Sequence, residues 1–127
     1  MIAIGIGANS RAHRRDFAAA IDEAQQEVGG DTVATFDAAI FANYVRDAAR
    51  YAGLGYRPIT LDAMRERSAD CLTRSERTLS LFGIGSIAEA AALAGAGPGS
   101  HLIMPRRIVG NITIAAAQSA SIPETRL

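Results

Sequence analysis

The chain has 127 residues, 49% of them apolar, and its thirteen arginines balance thirteen acidic residues with no lysine, for a formal net charge of zero. That length suits one domain burying roughly two-thirds of its unfolded surface, and balanced charge supplies no global field for sequence-independent nucleic-acid binding. The absence of lysine excludes a Walker A loop and Schiff-base chemistry; the single cysteine, Cys71, excludes an internal disulfide, and the lack of a basic leader or long apolar span predicts a cytoplasmic protein off the membrane.

Ile2, Ile4 and Ile6 alternate with Ala3, Gly5 and Gly7, which predicts a strand whose small face lets a helix come close. After the turn Gly7-Ala8-Asn9-Ser10, Phe17, Ala20, Ile21, Ala24 and Val28 form a helical stripe that Gly29-Gly30 ends. Thr32 to Phe36 reads as a short buried strand, with Asp37 capping a second helix whose inner face is Phe41, Val45, Ala48 and Ala52. Arg57 to Leu61 predicts a third strand, placed by Pro58 at an edge or a strand start, and a short helix runs through Met64.

Residues 70–82 stay open between strand and helix, since Leu79 and Leu81 alternate. A helix opened by Ser86 buries Ile87, Ala90, Ala91 and Ala94 and breaks at Gly95-Ala96-Gly97-Pro98-Gly99. His101 to Met104 and Val109 to Ala116 complete the strands, leaving residues 1–117 as one domain and a polar, frayed tail over 118–127. Alternating strands and helices predict a three-layer α/β/α sandwich with a mainly parallel or mixed sheet. Ligands of such sheets gather beyond the carboxyl ends of the strands.

Chemistry-bearing residues cluster at the predicted turns. Ser86 and Glu89 have the spacing of a capping box in front of the glycines Gly83 and Gly85, and Thr73-Arg74-Ser75-Glu76 has it too. Such a helix start leaves amides and a positive dipole end for an anion. Gly5-Ile6-Gly7 falls short of a dinucleotide fingerprint because Ser10 stands where the third glycine belongs. Asn9, Ser10 and the local amides remain able to hold a carboxylate.

Ser86 is no nucleophile elbow, with Ile84 and Ala88 in place of the flanking glycines. Arg11, Arg14 and Arg15 crowd the start of the first helix, as a solvated surface or as partners of an acidic ligand. Arg106 and Arg107 follow a proline and offer a fork for carboxylates. Asn111 and Thr113 put polar groups on a strand, and His13, His101 and Cys71 lack metal-ligand spacing.

The string Gly83-Ile84-Gly85-Ser86-Ile87-Ala88-Glu89-Ala90-Ala91-Ala92-Leu93, the opening Ile2-Ala3-Ile4-Gly5-Ile6-Gly7, Thr35-Phe36-Asp37, and Pro105-Arg106-Arg107 leading into Val109–Ala115 together resemble the CobE/CbiG C-terminal-domain family of cobalamin (vitamin B12) biosynthesis. The resemblance covers nearly the whole chain. Ala8, Ala39 and Ala42 stand where that family carries a cysteine, a lysine and a glutamate, so roles that need those groups are not implied here.

What the resemblance implies is a corrinoid- or precorrin-binding accessory or carrier protein of the aerobic pathway, with other cobalamin-pathway enzymes as partners and no metal or cofactor of its own. The implied ligand-binding residues are Gly7, Asn9, Ser10, Thr35, Gly83, Gly85, Ser86, Glu89, Arg106, Arg107 and Thr113. A lactone hydrolase acting on a precorrin is the alternative, with Glu89 or His13 as its base. A structural interaction module without a small-molecule ligand is the third reading.

Overall fold

Residues 1–120 are described by the computed structural model, in which five strands form one mixed sheet of order β3-β2-β1-β5-β4. Strands β1 (Ile2–Ala8), β2 (Thr32–Phe36) and β3 (Gly55–Ile59) run parallel, β5 (Ile112–Gln118) runs antiparallel to β1, and β4 (His101–Val109) antiparallel to β5. Helices α1 (Arg14–Val28), α2 (Ala42–Tyr51), α3 (Leu61–Glu66), α4 (Glu76–Phe82) and α5 (Ile87–Ala96) complete the expected α/β/α layering. No single helix among the described residues is long and apolar enough to cross a membrane.

The two faces of β1 explain the two cores. Ile4 and Ile6 join Val33, Ile112 and Ile114 on the large face, covered by Phe17, Ala20, Ile21 and Ala24 of α1 and Val45 and Ala49 of α2. On the small face Ala3, Ala115 and Ala117 meet Ala88, Ala92 and Leu93 of α5. A Cβ on Gly5 would lie 1.9 Å from the Ala88 carbonyl oxygen, so the glycine is what lets α5 lie directly on the strand. Unlike the stripe expected from the sequence, α5 is buried nearly all round, because Met64 of α3 and Ile84 pack against Ala90 and Ala91 on its far side.

Several expectations need correcting. Asp37 sits in a turn and its N–H goes to the Ile59 carbonyl; α2 starts only after Phe41, and Ala49 rather than Ala52 turns inward. The third strand is Gly55–Ile59, two residues earlier than expected. The open segment contains α4, capped by Ser75, whose Oγ accepts from the Thr78 N–H. Thr73, which also had the spacing for that role, binds elsewhere.

His101 to Val109 is one strand, and Val109 pairs with Ile112 across the two-residue turn Gly110–Asn111, where Gly110 has φ 62°. That glycine supplies the left-handed backbone a tight hairpin needs. Pro105 is accommodated because β4 is an edge strand and is bulged: Met104 pairs with Ala116 and Arg107 with Ile114, so Pro105 and Arg106 together face Ala115 alone. Both edge strands thus carry a proline, Pro58 in β3 and Pro105 in β4, which blunts edge-to-edge pairing. At the other end Gln118 belongs to β5, and Ser119 donates to the Met1 and Ala96 carbonyls; the rest of the expected tail, 121–127, lies outside the described residues.

Candidate functional site

Where the parallel strands end and the β4–β5 hairpin turns, the chain leaves an open cleft of about 740 Å³. Its floor is the end of β1 and the turn after it, Gly7 to Ser10, beside Phe36 at the end of β2 and Ala38 and Ala39 beyond it. One wall is α4, with Arg77, Thr78, Leu81 and Phe82; the other is the hairpin, with Arg106, Ile108, Asn111 and Thr113. Ser86 and Ile87 at the start of α5 close the back. This is the crevice at a topological switch, where the neighbours of β1 change from parallel to antiparallel.

Six of the sequence-predicted residues, Gly7, Asn9, Ser10, Ser86, Arg106 and Thr113, line the cleft together. A Cβ on Gly7 would lie 2.6 Å from Thr113 Oγ1 and 3.8 Å from the Ala88 nitrogen, so this glycine keeps the helix start and the threonine hydroxyl in one recess. Ser86 is the N-cap of α5, its Oγ accepting from the Glu89 N–H at 3.2 Å. The N–H groups of Ile87 and Ala88 have no partner among the described residues, as the first turn of a helix requires unless a ligand supplies one. Asn9 is committed locally: its Oδ1 accepts from the Arg11 N–H at 2.8 Å and its amide donates to Asn111 Oδ1 at 3.1 Å.

The other predicted residues lie elsewhere. Thr35 is buried and donates to the Ile6 carbonyl at 2.8 Å. Gly83 is the left-handed C-cap of α4 at φ 73°, and Gly85 is pressed against the Thr73 carbonyl, 2.5 Å from where a Cβ would sit. Arg107 points away to Glu27 of α1, at 3.2 Å. His13 lies outside the cleft lining at the start of α1, its N–H donating to the Asp16 carboxylate at 2.7 Å.

Glu89 departs furthest from expectation. It is fully buried, and its carboxylate does not return to the Ser86 N–H but accepts from the N–H groups of Leu72 and Thr73, the Thr73 hydroxyl and the Arg106 N–H, all at 2.8–2.9 Å. A carboxylate so fully engaged is no base in waiting. Cys71 is equally quiet, since burial pushes its thiol up to about 11.

Charge in the cleft is one-sided. Arg77 and Arg106 line it, no acidic side chain does, and no ion pair among the described residues uses either guanidinium. At the start of α1 Arg14 differs: it pairs with Asp47 at 3.0 Å and lies over the Tyr44 ring, and that pairing holds the Asp47 carboxyl below its ordinary value. The remaining lining mixes neutral polar residues such as Ser10, Thr78 and Thr113 with an apolar part, in which Phe36 and Phe82 lie edge to face at 6.1 Å and Leu81 and Ile108 are exposed at the mouth. Sequence reasoning missed the α4 wall because residues 70–82 were left open; the Ser75 cap before Glu76 was the available signal.

The model of the family described as "Cobalamin synthesis G C-terminus" matches residues 2–117. The chain belongs to that family. Among solved structures, cobalamin biosynthesis protein chiG from Agrobacterium tumefaciens str. C58 is 30% identical, with a TM-score of 0.75, covering 95% of this chain and 100% of that one. CobE, a protein from the cobalamin (vitamin B12) biosynthetic pathway, shares the fold at a TM-score of 0.82 and 23% identity, over 97% of this chain and 93% of that one. A cobalamin biosynthesis protein G homologue from Sulfolobus solfataricus aligns at a TM-score of 0.71 and 23% identity over 94% of this chain but 37% of its own length. No curated protein matches the chain. Membership of a cobalamin-synthesis family agrees with the resemblance carried by Gly83–Leu93 and by both chain ends.

Proposed function

We propose that this cobalamin-family protein binds a corrinoid or precorrin intermediate in its cleft as an accessory or carrier protein. Such a ligand is a flat, partly apolar macrocycle edged by carboxylate arms. The observation that carries the reading is a cleft lined by two arginines that make no ion pair among the described residues and by no acidic side chain, in a chain of zero formal net charge. The phenylalanines and Ile108 suit the ring, while the Ile87 amide and Thr113 suit a carboxylate. The volume of about 740 Å³ lies within the ~300–1,000 Å³ of small-molecule sites.

The test is titration of the protein with hydrogenobyrinic acid, followed by the pigment's visible spectrum. Saturable binding that weakens in R106A is expected; a spectrum unchanged by the protein removes the proposal. A lactone hydrolase gains no support from the geometry, since Glu89 is engaged by four donors and His13 lies outside the cleft. Partner enzymes of the pathway would meet the mouth, where Leu81 and Ile108 are exposed.

A further inference from the structure

Both cleft arginines stand on segments that are weakly built into the sheet. Arg77 lies on α4, a helix with no fully buried residue, whose lead-in passes through Leu72 and Thr73. Arg106 lies in the bulge of the edge strand β4, next to a proline that has no N–H to give the ladder. One buried carboxylate joins the two. Oε1 of Glu89 accepts from the Leu72 and Thr73 N–H groups, and Oε2 accepts from both the Thr73 hydroxyl and the Arg106 N–H.

We propose that Glu89 is a positioning residue, whose carboxylate fixes the two cleft walls against each other and so sets where Arg77 and Arg106 stand. Helix capping needs none of this, because Ser86 already caps α5 and a plain capping box would direct the glutamate to the N-cap amide. An acceptor-only group with room for about four donors suits a point where three backbone amides and a hydroxyl arrive from segments on either side of it in the chain. An aliphatic residue there would leave these donors buried without partners. The ligand half of the inference rests on the proposed corrinoid reading; the structural half does not.

Hydrogen exchange of the ligand-free protein tests the clamp first. In E89Q the amides of Leu72, Thr73 and Arg106 are expected to lose protection together, by about tenfold or more, while those of Ile4 and Val33 in the central strands keep theirs. Should E89Q not fold, T73V removes only the hydroxyl donor, and faster exchange at both Leu72 and Arg106 is then expected. Unchanged exchange at Arg106 in the folded variant overturns the proposal.

Binding of hydrogenobyrinic acid then reads the consequence. E89Q and R106A are each expected to weaken it, with the double variant falling short of the product of the two single effects, because a misplaced arginine has little left to lose. Multiplicative effects would show that Glu89 does not act through Arg106. If the wild-type protein binds no pigment, the corrinoid reading fails while the exchange result still decides the clamp.

Discussion

The two ends of α5 are treated in opposite ways. At its C-terminal end Arg67 donates to the carbonyls of Leu93, Gly97 and Ser100 and to the Ser100 hydroxyl, at 2.7–3.2 Å, and pairs with Asp70 at 3.0 Å. Arg57 donates to the Gly95 carbonyl at 2.9 Å and the Ser119 hydroxyl to that of Ala96 at 2.7 Å, so the acceptors that a helix leaves over are met from within the protein. At the N-terminal end, Ser86 meets one amide, while those of Ala88 and of Ile87, which lines the cleft, have no partner among the described residues. On the proposed reading the contrast separates stability from function: polar groups that the chain satisfies for itself hold the fold, and the groups left unmet are the ones offered to the proposed ligand.

That contrast breaks most visibly at Arg67. R67A removes the guanidinium that ties Leu93, Gly97 and Ser100 together and is expected to cost about 1–3 kcal/mol, seen as an earlier midpoint in urea unfolding. Pigment affinity of the molecules still folded should stay as it was. Loss of affinity without loss of stability would mean that the sealed end is part of the site.

R106A makes the opposite change, with a Kd for hydrogenobyrinic acid raised on the order of tenfold, the worth of a hydrogen bond to a charged group. Its urea midpoint should move little. S86A touches both sides of the comparison, losing about 1 kcal/mol with the cap and leaving the Ile87 and Ala88 amides in place, so that unfolding responds more than binding. R107A is expected to do least, because its exposed pair with Glu27 is worth at most about 1 kcal/mol and its side chain faces away from the cleft lining.

A pH series sharpens the view of the strap between the two ends. Cys71 lies between Arg67 and Thr73, its Sγ 3.8 Å from the Ser86 carbonyl oxygen. Its folded value is raised to about 11 from an ordinary 9.0, so the unfolded chain gives up the proton first. Stability from this group is therefore complete below about 9 and lost as pH climbs to about 11. Urea midpoints should fall across that window in the wild type, and in C71A that component of the fall should be absent.

Local patterns were the part of the molecule that sequence could show. The Ile2, Ile4, Ile6 alternation and the Phe17 to Ala24 stripe depend only on neighbours in the chain, and they match the observed faces of β1 and α1. The Ser86 cap was legible for the same reason. Glu89 was not, since its partners Leu72 and Arg106 each lie 17 residues away, on opposite sides of it. No spacing rule announces that convergence.

Other misses had a signal that was outweighed. Gly110-Asn111 is a two-residue hairpin dipeptide, yet Pro105 and the arginines after it suggested a strand already ended. Arg106 and Arg107 looked equivalent as a pair. Strand geometry sends neighbours to opposite sides, which is how one comes to line the cleft and the other to meet Glu27.

The most direct measurement is the affinity of hydrogenobyrinic acid for the wild-type protein, R106A and R107A, read from the pigment's visible spectrum. Saturable binding to the wild type, retained in R107A and weakened on the order of tenfold in R106A, is the predicted result. Absence of binding, or equal affinity in all three proteins, would contradict the claim that the unmet donors of this cleft recognise a carboxylated macrocycle.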